Sequence, residues 1–436
     1  MISETLTLGG GVPVVGSVSV PGDKSVSHRA LLLAALAEGT STLTGLSSGD
    51  DVERTAGAIT RLGALLRREG DVVEVEGGRS RLVAPDVPID LGNSGTGIRL
   101  LAGVAASLPG TTVLTGDDSL RGRPMDRIAA PLAAMGADIE GAGDRCLPPL
   151  SITGGNLRGI EYTPPMASAQ VKGAVLLAGL VAEGETVVRE PVATRAYTEE
   201  MLAAAGAEIT IERIGRGRTV RLRASRLRPG RFLVPGDPSQ AAFWLVAAVI
   251  VPDSRVTVEQ MDLSEERVGY LRVLERMGAA LEVDLHGDHL GSVTAVSAPL
   301  AGTEVDAAEI PSLDEVPILA VAAAAAEGET AFRDVGELRV KESDRLTGTA
   351  ELVRAFGAGA EIRGDDLLVT GTGGSLHGAR VDARGDHRMA MAAAVAAAAS
   401  VPGTGETTIV GWESTSTSYP GFEKDLERLT SIGRGA

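Results

Sequence analysis

The chain has 436 residues, of which 44% are apolar, so it is long enough for two or three domains with large cores. Its formal net charge of −17 at pH 7 disfavours nucleic acids and anionic membranes as partners. Cys146 is the sole cysteine, which excludes an internal disulfide bond and favours a reducing compartment.

Three segments bear on these exclusions. The apolar runs 241–251 and 389–401 are shorter than the roughly 18 residues that span a bilayer. The N-terminus has neither the basic nor the apolar region of a signal peptide, so we expect a soluble, cytoplasmic protein. The run from Arg213 to Arg231 holds eight arginines and no acid, but its centre alternates like a strand. We interpret this run as a solvated hairpin and not as a nucleic-acid patch.

One pattern recurs six times along the chain. A loop rich in Gly, Pro and Ser precedes a helix that is apolar on every side; a strand, an amphipathic helix and a Gly-Ala strand entry follow. The apolar helices are predicted to begin near Arg29, Arg99, Lys172, Ala241, Pro317 and Arg388. The second helices are predicted to end at glycines 70 to 79 residues apart, namely Gly63, Gly136, Gly206, Gly278 and Gly357. A helix without a polar face must be enclosed by protein, so three repeats form one α/β domain and six form two.

The division between the two predicted domains precedes the fourth repeat. Near Pro235 the string PGDPSQAAF echoes PGDKSVSHR from the start of the chain. We therefore expect repeats one to three to form a domain over 23–235, and repeats four to six to form a second over 236–436. The pattern leaves open whether the strand at 12–20 completes one domain or crosses between them; we assign 1–22 to the second.

Loops of the first three repeats place cations and hydroxyls near the predicted helix starts. In PGDKSVSHR, Asp23 or Ser25 can cap the helix, while Lys24 and Arg29 can converge with Ser25 on an oxyanion. In LGNSGTGIR the glycines let backbone N–H groups approach a ligand, with Arg99 behind them. Further loop residues of this kind are Arg123, Ser168, Gln170, Lys172, Thr194 and Arg195.

The last three repeats add carboxylates. Asp314 stands at the start of an apolar helix, where it is either an N-cap or a functional group. In ELRVKESDRL a helix would place Lys341 and Arg345 on one face, where they repel unless an anion lies between them, with Glu342 pointing elsewhere. Asp386, His387 and Arg388 form another helix start suited to an anion. His286 and His289 lack a third ligand, so we do not expect a metal site there.

The cations as a set indicate the ligand better than any single loop does. They number about nine, counting Lys172, and suit ligands with a total charge of roughly −5, such as two phosphates and two carboxylates. Buried without ligand they would cost several kcal/mol each, so we expect a solvated cleft. Taken singly, each loop is also compatible with a capped helix or a solvated charged turn.

The loop strings, in this order, resemble the signatures of the 5-enolpyruvylshikimate-3-phosphate synthase family over residues 13 to 422: PGDKSVSHRALLLAALA, LGNSGTGIRLL, GRPM, PMASAQVK, ELRVKESDRL and GDHRMAMA. The resemblance implies two α/β domains of three βαβαββ repeats each, the inside-out α/β barrel of enolpyruvyl transferases, with the active site in the cleft between them. It implies transfer of enolpyruvyl from phosphoenolpyruvate to the 5-hydroxyl of shikimate-3-phosphate, with release of phosphate, in the shikimate pathway of aromatic amino-acid biosynthesis. It further implies a monomer that uses neither a metal nor an organic cofactor.

The resemblance also carries site residues to this chain. The positions that match shikimate-3-phosphate contacts are Lys24, Ser25, Arg29, Ser168, Ala169, Gln170, Thr194, Arg195, Asp314 and Lys341. Those that match phosphoenolpyruvate contacts are Lys24, Gly95, Arg123, Gln170, Arg345 and Arg388. Asp314 is expected to take the proton of the 5-hydroxyl, and either Glu342 or Lys24 to protonate the enol methylene. Glyphosate competes for the phosphoenolpyruvate site in this family, and Gly95 predicts sensitivity to it.

Two positions depart from the family pattern, and one sister family is an alternative. Thr417 stands where many members have a lysine, and Ala169 stands where some have a second serine. The alternative is UDP-N-acetylglucosamine enolpyruvyl transferase, which typically has a reactive cysteine six residues before the proline of its Arg-Pro loop. Here that position is Asp118, and Cys146 lies 22 residues after Pro124. A non-catalytic repeat scaffold would have no use for Asp314 and Glu342 beside the cations.

Overall fold

A computed structural model describes residues 3–287, 289–310 and 312–433. Its contacts divide the chain into two units, one over 22–234 and the other over 1–21 together with 235–436. The chain begins with β1 (Thr5–Leu8) and β2 (Val15–Val18), which belong to the second of these units.

The unit 22–234 contains three repeats. The first comprises α1 (Lys24–Leu36), β3 (Gly39–Thr44), α2 (Asp50–Arg61), β4 (Leu65–Glu69) and β5 (Val72–Gly77). The second comprises β6 (Ile89–Asp90), α3 (Gly95–Ala106), β7 (Gly110–Thr115), α4 (Asp118–Arg121), α5 (Asp126–Ala134), β8 (Asp138–Ala142) and β9 (Leu147–Gly154). The third comprises β10 (Glu161–Tyr162), α6 (Ala169–Gly179), β11 (Glu185–Glu190), α7 (Tyr197–Ala204), β12 (Ile209–Ile214) and β13 (Gly217–Arg223), and β14 (Arg231–Leu233) follows it.

Each repeat of this unit forms one four-stranded sheet. The strand orders are β14-β3-β5-β4, β6-β7-β9-β8 and β10-β11-β13-β12. In each sheet the first pair is parallel and the other two are antiparallel. The first repeat lacks an opening strand of its own, and β14 from the end of the unit takes that place.

The second unit repeats this plan. The fourth repeat comprises α8 (Pro238–Ile250), β15 (Arg255–Asp262), α9 (Gly269–Met277), β16 (Ala280–Leu285) and β17 (Leu290–Val296). The fifth comprises β18 (Glu304–Asp306), α10 (Val316–Ala325), β19 (Glu329–Arg333), α11 (Arg345–Ala355), β20 (Gly359–Arg363) and β21 (Asp366–Thr370). The sixth comprises β22 (Arg380–Asp382), α12 (His387–Ala398), β23 (Thr407–Val410) and α13 (Phe422–Gly433). Short 3-10 helices occupy Ala307–Glu309, Gly336–Val340 and Trp412–Thr417.

The N-terminal strands complete two sheets of the second unit. The strand orders are β16-β17-β15-β2, β18-β19-β21-β20 and β1-β23-β22. Strand β2 pairs in parallel with β15, and β1 pairs antiparallel with β23. The strand predicted at 12–20, whose place the repeat pattern leaves open, thus belongs to the unit that contains repeats four to six.

One hydrophobic core lies in each unit, around the three helices that the sequence predicts to be apolar on every side. Helices α1, α3 and α6 are buried along nearly their whole length, and so are α8, α10 and α12. Helices α3 and α6 approach so closely at Gly103 that a Cβ there would lie 2.2 Å from the carbonyl oxygen of Ala174. The predicted α/β fold of repeats around buried helices is confirmed.

The predicted ends of the second helices are also confirmed. The five repeat glycines lie one or two positions after the last residues of these helices, with φ between 84° and 112°, a conformation that ends a helix at little cost only when the residue is glycine.

The predicted starts of the first three buried helices are wrong by three to five residues, and α8 begins at Pro238, three residues before the predicted Ala241. Helices α1, α3 and α6 begin at Lys24, Gly95 and Ala169, because the side chains of Asp23, Ser94 and Ser168 accept hydrogen bonds from the first-turn N–H groups. The cations Arg29, Arg99 and Lys172 therefore lie within these helices and not at their N-termini.

The arginine run forms the predicted hairpin of β12 and β13. Its predicted solvation is wrong at Arg218, whose side chain is only 7% exposed. Among the residues that the structure describes, no helix is long and apolar enough to cross a membrane.

Candidate active site

In the unit 22–234, the start of α1 gathers several of the predicted residues. Asp23 caps the helix, so the Ser25 hydroxyl is available to accept a hydrogen bond from Arg195 Nη1 at 3.1 Å. Lys24 Nζ lies 3.0 Å from Asp51 Oδ2. The structure thus brings Ser25 and Arg195, which are 170 residues apart in the sequence, into contact.

Arg29 is buried one turn further along α1 and connects three segments. Its Nη1 donates to the carbonyl oxygen of Ser25 at 2.8 Å, and its Nε donates to Thr198 Oγ1 at 2.7 Å. Its Nη2 lies 3.4 Å from the carbonyl oxygen of Ala169. Burial, and then the nearby Arg195, lower the pKa of Arg29 to about 10, so it remains a cation at neutral pH.

Arg99 organises a second cluster between α3 and α6. Its Nη1 donates to Gln170 Oε1 at 3.0 Å, and Gln170 Nε2 donates to Thr96 Oγ1 at 2.9 Å. A Cβ on Gly95 would lie 2.9 Å from Arg123 Nη1. Gly95, Arg123 and Gln170, which the sequence predicts as contacts of a single ligand, therefore lie together.

The Arg123 side chain is held by residues that the sequence analysis missed. Its Nη2 donates to the Asn93 side-chain oxygen and lies 3.3 Å from Ser119 Oγ. Asn93 belongs to the LGNSGTGIR loop, but a lone amide carries no pattern that distinguishes it from an ordinary turn residue.

Thr194 lies on a loop between β11 and α7. Its hydroxyl donates to the Glu190 carboxylate, and its carbonyl oxygen accepts from Arg218 Nη1 at 2.8 Å. The sequence predicts Lys172 among the ligand cations, but Lys172 does not join them. It is fully buried between Glu190 and Glu199, at 2.8 and 2.7 Å, because its position on α6 faces the interior.

In the second unit, Asp314 lies between two arginines. Its Oδ1 is 3.0 Å from Arg345 Nη1, and its Oδ2 is 3.4 Å from Arg388 Nη2. Helix α10 begins at Val316 with Glu315 as the flanking residue and no side-chain cap, so the N-cap alternative for Asp314 is wrong.

The charges around Asp314 fix its protonation state. Burial alone would raise the pKa of its carboxyl, but Arg388, Lys341 and Arg345 outweigh burial and hold this pKa well below its usual value. Burial also disfavours the charged form of Arg345, which would lower its pKa. Asp386, Glu342 and Asp314 outweigh burial and raise this pKa above its usual value. Asp314 is therefore ionised and Arg345 is charged at neutral pH.

The segment before α11 departs from the predicted helix. Helix α11 begins at Arg345, capped by Asp344, and Lys341 lies in the preceding loop, so the predicted shared face of Lys341 and Arg345 is wrong. Lys341 Nζ instead donates to the carbonyl oxygen of Ser312 at 3.1 Å. Glu342 Oε2 lies 2.7 Å from Arg345 Nη2.

Asp386 makes a contact with Arg345 that the sequence does not predict. It caps α12 and also lies 2.8 Å from Arg345 Nε, with the Ser343 hydroxyl 2.9 Å away. The sequence predicts Asp386 at a helix start, but nothing in it pairs this residue with one 41 positions away.

The site residues described above form two sets, one in each unit, and the two sets differ in chemistry. Cations and hydroxyls, suited to hold anionic groups, dominate the set in the unit 22–234. The set in the other unit combines arginines with the carboxylates of Asp314 and Glu342, which can also move protons. In the described part of the chain, no group of three His, Cys, Asp or Glu side chains is arranged to hold a metal ion.

Comparison with known proteins identifies relatives along nearly the whole chain. Residues 8–426 match the family described as EPSP synthase (3-phosphoshikimate 1-carboxyvinyltransferase). The 3-phosphoshikimate 1-carboxyvinyltransferase of Synechococcus sp. (strain JA-3-3Ab) is 46% identical, over 98% of this chain and 97% of the relative. The enzyme of the same name from Caulobacter vibrioides (strain NA1000 / CB15N) is 48% identical, over 95% of each chain.

Solved structures are similar to the same extent. An EPSP synthase from Acinetobacter baumannii superposes with a TM-score of 0.85 at 38% identity, covering 98% of both chains. The enolpyruvyl transferase NikO from Streptomyces tendae, at 21% identity, has a TM-score of 0.80 over 98% of this chain and 97% of its own, which is a likeness of fold.

Proposed function

This chain belongs to the EPSP synthase family, and we propose that its two sets of side chains act together on one pair of substrates. The enzyme transfers the enolpyruvyl group of phosphoenolpyruvate to the 5-hydroxyl of shikimate-3-phosphate and releases phosphate, a step of aromatic amino-acid biosynthesis. One observation carries the proposal for the site: an ionised carboxylate, Asp314, is held between Arg345 and Arg388. A proton acceptor is thus joined to groups that bind anions.

Shikimate-3-phosphate is bound largely by the unit 22–234. Its phosphate lies near Ser25 and Arg195, which already contact each other. Ser168, Ala169 and Thr194 are further contacts in the proposal. Arg29 fixes the backbone of two of these segments through the carbonyl oxygens of Ser25 and Ala169. The remaining contacts in the proposal are Lys24, Gln170, Asp314 and Lys341.

Phosphoenolpyruvate is bound by arginines of both units. Arg123, beside Gly95 and Gln170, belongs to one, and Arg345 and Arg388 belong to the other. An arginine binds a carboxylate or phosphate through two parallel hydrogen bonds, so three arginines with Lys24 suit a ligand that has both groups. Thr417 supplies a hydroxyl where many relatives have a lysine.

Binding of phosphoenolpyruvate prepares Asp314 to act as a base. While Arg345 and Arg388 contact it, the carboxylate is ionised but weakly basic. Anionic groups of the substrate compete for these arginines and neutralise their charge, so the pKa of Asp314 rises toward a value suited to proton abstraction. Asp314 then takes the proton of the 5-hydroxyl while the hydroxyl oxygen attacks C2 of phosphoenolpyruvate.

The second proton transfer is assigned to Glu342 or Lys24. One of them protonates the methylene carbon, which becomes a methyl group in the tetrahedral adduct. Loss of a proton from this methyl group and departure of phosphate then form the product, and the arginines stabilise the leaving charge. Glu342 contacts Arg345, and Lys24 contacts Asp51, so each candidate has a charged partner beside it.

The experiment for the acceptor substrate measures phosphate release from phosphoenolpyruvate with either of two acceptors. We expect release with shikimate-3-phosphate and none with UDP-N-acetylglucosamine. The reverse result would overturn the proposal in favour of the sister reaction, and release with neither would overturn both. The position six residues before Pro124 is Asp118, so the chain has no thiol where the sister family typically has one.

Three further parts of the proposal rest on the sequence. We assign the functional domains to 23–235 and to 1–22 with 236–436. We also assign a cytoplasmic location, since a single cysteine suits a reducing compartment, and a monomeric state. Size-exclusion chromatography with light scattering tests the monomer, for which the expected mass is 44.6 kDa.

A further inference from the structure

We propose that a buried network of four charged residues positions the Thr194–Arg195 loop and thereby determines the affinity for shikimate-3-phosphate; this inference rests on the proposed function. The network consists of Lys172 on α6, Glu190 at the end of β11, Glu199 on α7 and Arg218 on β13. These are positioning residues, since the substrate contacts assigned above lie on the loop that they hold.

The four side chains are almost fully enclosed. The exposed fractions are 0% for Lys172 and Glu199, 2% for Glu190 and 7% for Arg218. Lys172 Nζ joins the two carboxylates at 2.8 and 2.7 Å, and Arg218 Nη1 lies 2.9 Å from Glu199 Oε1. Two positive and two negative charges make the network formally neutral, so it adds no net charge to the cation set that binds the phosphate.

Two members of the network hold Thr194 directly. Arg218 Nη1 donates to the Thr194 carbonyl oxygen at 2.8 Å, and Glu190 accepts from the Thr194 hydroxyl. The carbonyl oxygen and the hydroxyl of this loop residue are therefore both fixed from the buried side. The next residue, Arg195, extends to Ser25 Oγ at 3.1 Å. A shift of the Thr194 backbone would move the Arg195 guanidinium away from the place assigned to the phosphate.

A second connection runs through the start of α7. Thr198 precedes Glu199 and accepts from Arg29 Nε at 2.7 Å. Arg29 in turn holds the carbonyl oxygens of Ser25 and Ala169. The network and Arg29 thus hold the loop and the helix start that carry shikimate-3-phosphate contacts in one arrangement.

Stability alone does not explain why these positions are charged. Buried ion pairs are often no more stabilising than apolar side chains of similar size, because desolvation offsets their attraction. Apolar residues at these positions would leave the Thr194 hydroxyl and carbonyl without these partners. Defined geometry, which charged hydrogen bonds impose, is what the network supplies to the loop.

The test compares Arg218→Gln with Arg221→Gln. Arg221 lies on the same strand, but its side chain is 39% exposed and pairs with Glu185, away from the loop. For Arg218→Gln we expect the Kd of shikimate-3-phosphate, measured by calorimetry, to rise about tenfold, as for the loss of one hydrogen bond that orders the loop. The KM of phosphoenolpyruvate at saturating shikimate-3-phosphate should stay within about twofold, and Arg221→Gln should match wild type in both.

A milder variant keeps the test open if Arg218→Gln does not fold. Glu190→Gln preserves side-chain shape but weakens the bond to the Thr194 hydroxyl, and Lys172 keeps Glu199 as a partner. Its Kd for shikimate-3-phosphate should rise about threefold to tenfold. Folded variants with an unchanged Kd would overturn the inference, even if their melting temperature falls, because the network would then only stabilise the unit. Wild type without phosphate release would instead contradict the proposed function.

Discussion

Glu342 and Lys24 are the two candidates for the proton that reaches the enol methylene. Glu342→Gln preserves volume and removes a proton-transferring group, so we expect kcat to fall by about 10²–10⁴ while the Kd of shikimate-3-phosphate changes much less. Rapid-quench kinetics with calorimetry measures both. A hundredfold weaker Kd with normal kcat would show that Glu342 binds the substrate and is not the acid. Lys24→Met tests the other candidate in the same assay.

Gly95 lies where a side chain would meet Arg123, which is assigned to phosphoenolpyruvate, and the neighbouring Arg99. A Cβ there would be 2.9 Å from Arg123 Nη1 and 3.1 Å from Arg99 Nη1. Both contacts are with the ends of flexible side chains, so Gly95→Ala should fold normally and shift these groups slightly. We expect the inhibition constant of glyphosate to rise more than the KM of phosphoenolpyruvate.

Steady-state kinetics of the wild type and of Gly95→Ala tests this prediction. The wild type should be sensitive to glyphosate, because glycine leaves the space open. Millimolar tolerance in the wild type, or a parallel rise of both constants in the variant, would contradict it.

At the scale of elements, the N-terminus of α12 connects stability to pH through Asp386. Burial would raise the pKa of this carboxyl, but Arg345 and His387 lower it below its usual value. A depressed folded-state pKa means that the stabilisation is present above the unfolded value of about 3.9 and is lost as the pH falls through the folded value. Asp386→Asn removes one of three carboxylates around Arg345 and leaves Asp314 and Glu342, so we expect about 1.5–3 kcal/mol of destabilisation at pH 7.

Urea unfolding at several pH values measures this effect. The difference between wild type and Asp386→Asn should be largest near pH 7 and should narrow below about pH 4. Asp118→Asn is the control, since the Asp118 side chain is 99% exposed, and it should change the free energy of unfolding by less than about 0.5 kcal/mol. A constant difference across the pH range would show that Asp386 acts only through packing and capping.

The elements show which features a sequence can predict. The all-apolar helices and the glycines that end the second helices repeat at regular spacing, so the sequence predicts them well. The predicted starts of α1, α3 and α6 are wrong because the cations inside these helices resemble N-terminal groups, although the caps lie earlier at Asp23, Ser94 and Ser168. Capping depends on which side chain reaches the first-turn N–H groups, and several neighbouring residues were chemically suitable.

The sequence does not predict contacts between residues that are distant along the chain. The contacts of Asp51 with Lys24 and of Asp386 with Arg345 join positions 27 and 41 residues apart. The sequence predicts Lys172 among the ligand cations because a sequence shows which residues are charged. Its two buried glutamate partners are determined only by the tertiary structure. Resemblance to a family supplied the site residues because it carries that tertiary information.

At the scale of the whole molecule, the proposed reaction divides its chemistry between the two units. Residues of the unit 22–234 supply cations and hydroxyls, and Asp314 and Glu342 belong to the other unit. Neither set contains both the assigned base and the full group of assigned phosphate contacts. We therefore expect that one reaction needs side chains from both units.

The most direct test measures kcat/KM for phosphate release after one substitution in each unit. Arg195→Gln, in the unit 22–234, should lower kcat/KM for shikimate-3-phosphate by about 10- to 100-fold, since a charged hydrogen bond is lost. Asp314→Asn, in the other unit, should lower kcat by about 10²–10⁴. Arg54→Gln and Arg384→Gln, which remove half-exposed arginines from the surface of each unit, should leave both constants unchanged. Normal turnover in either Arg195→Gln or Asp314→Asn would contradict the claim, because one unit would then suffice.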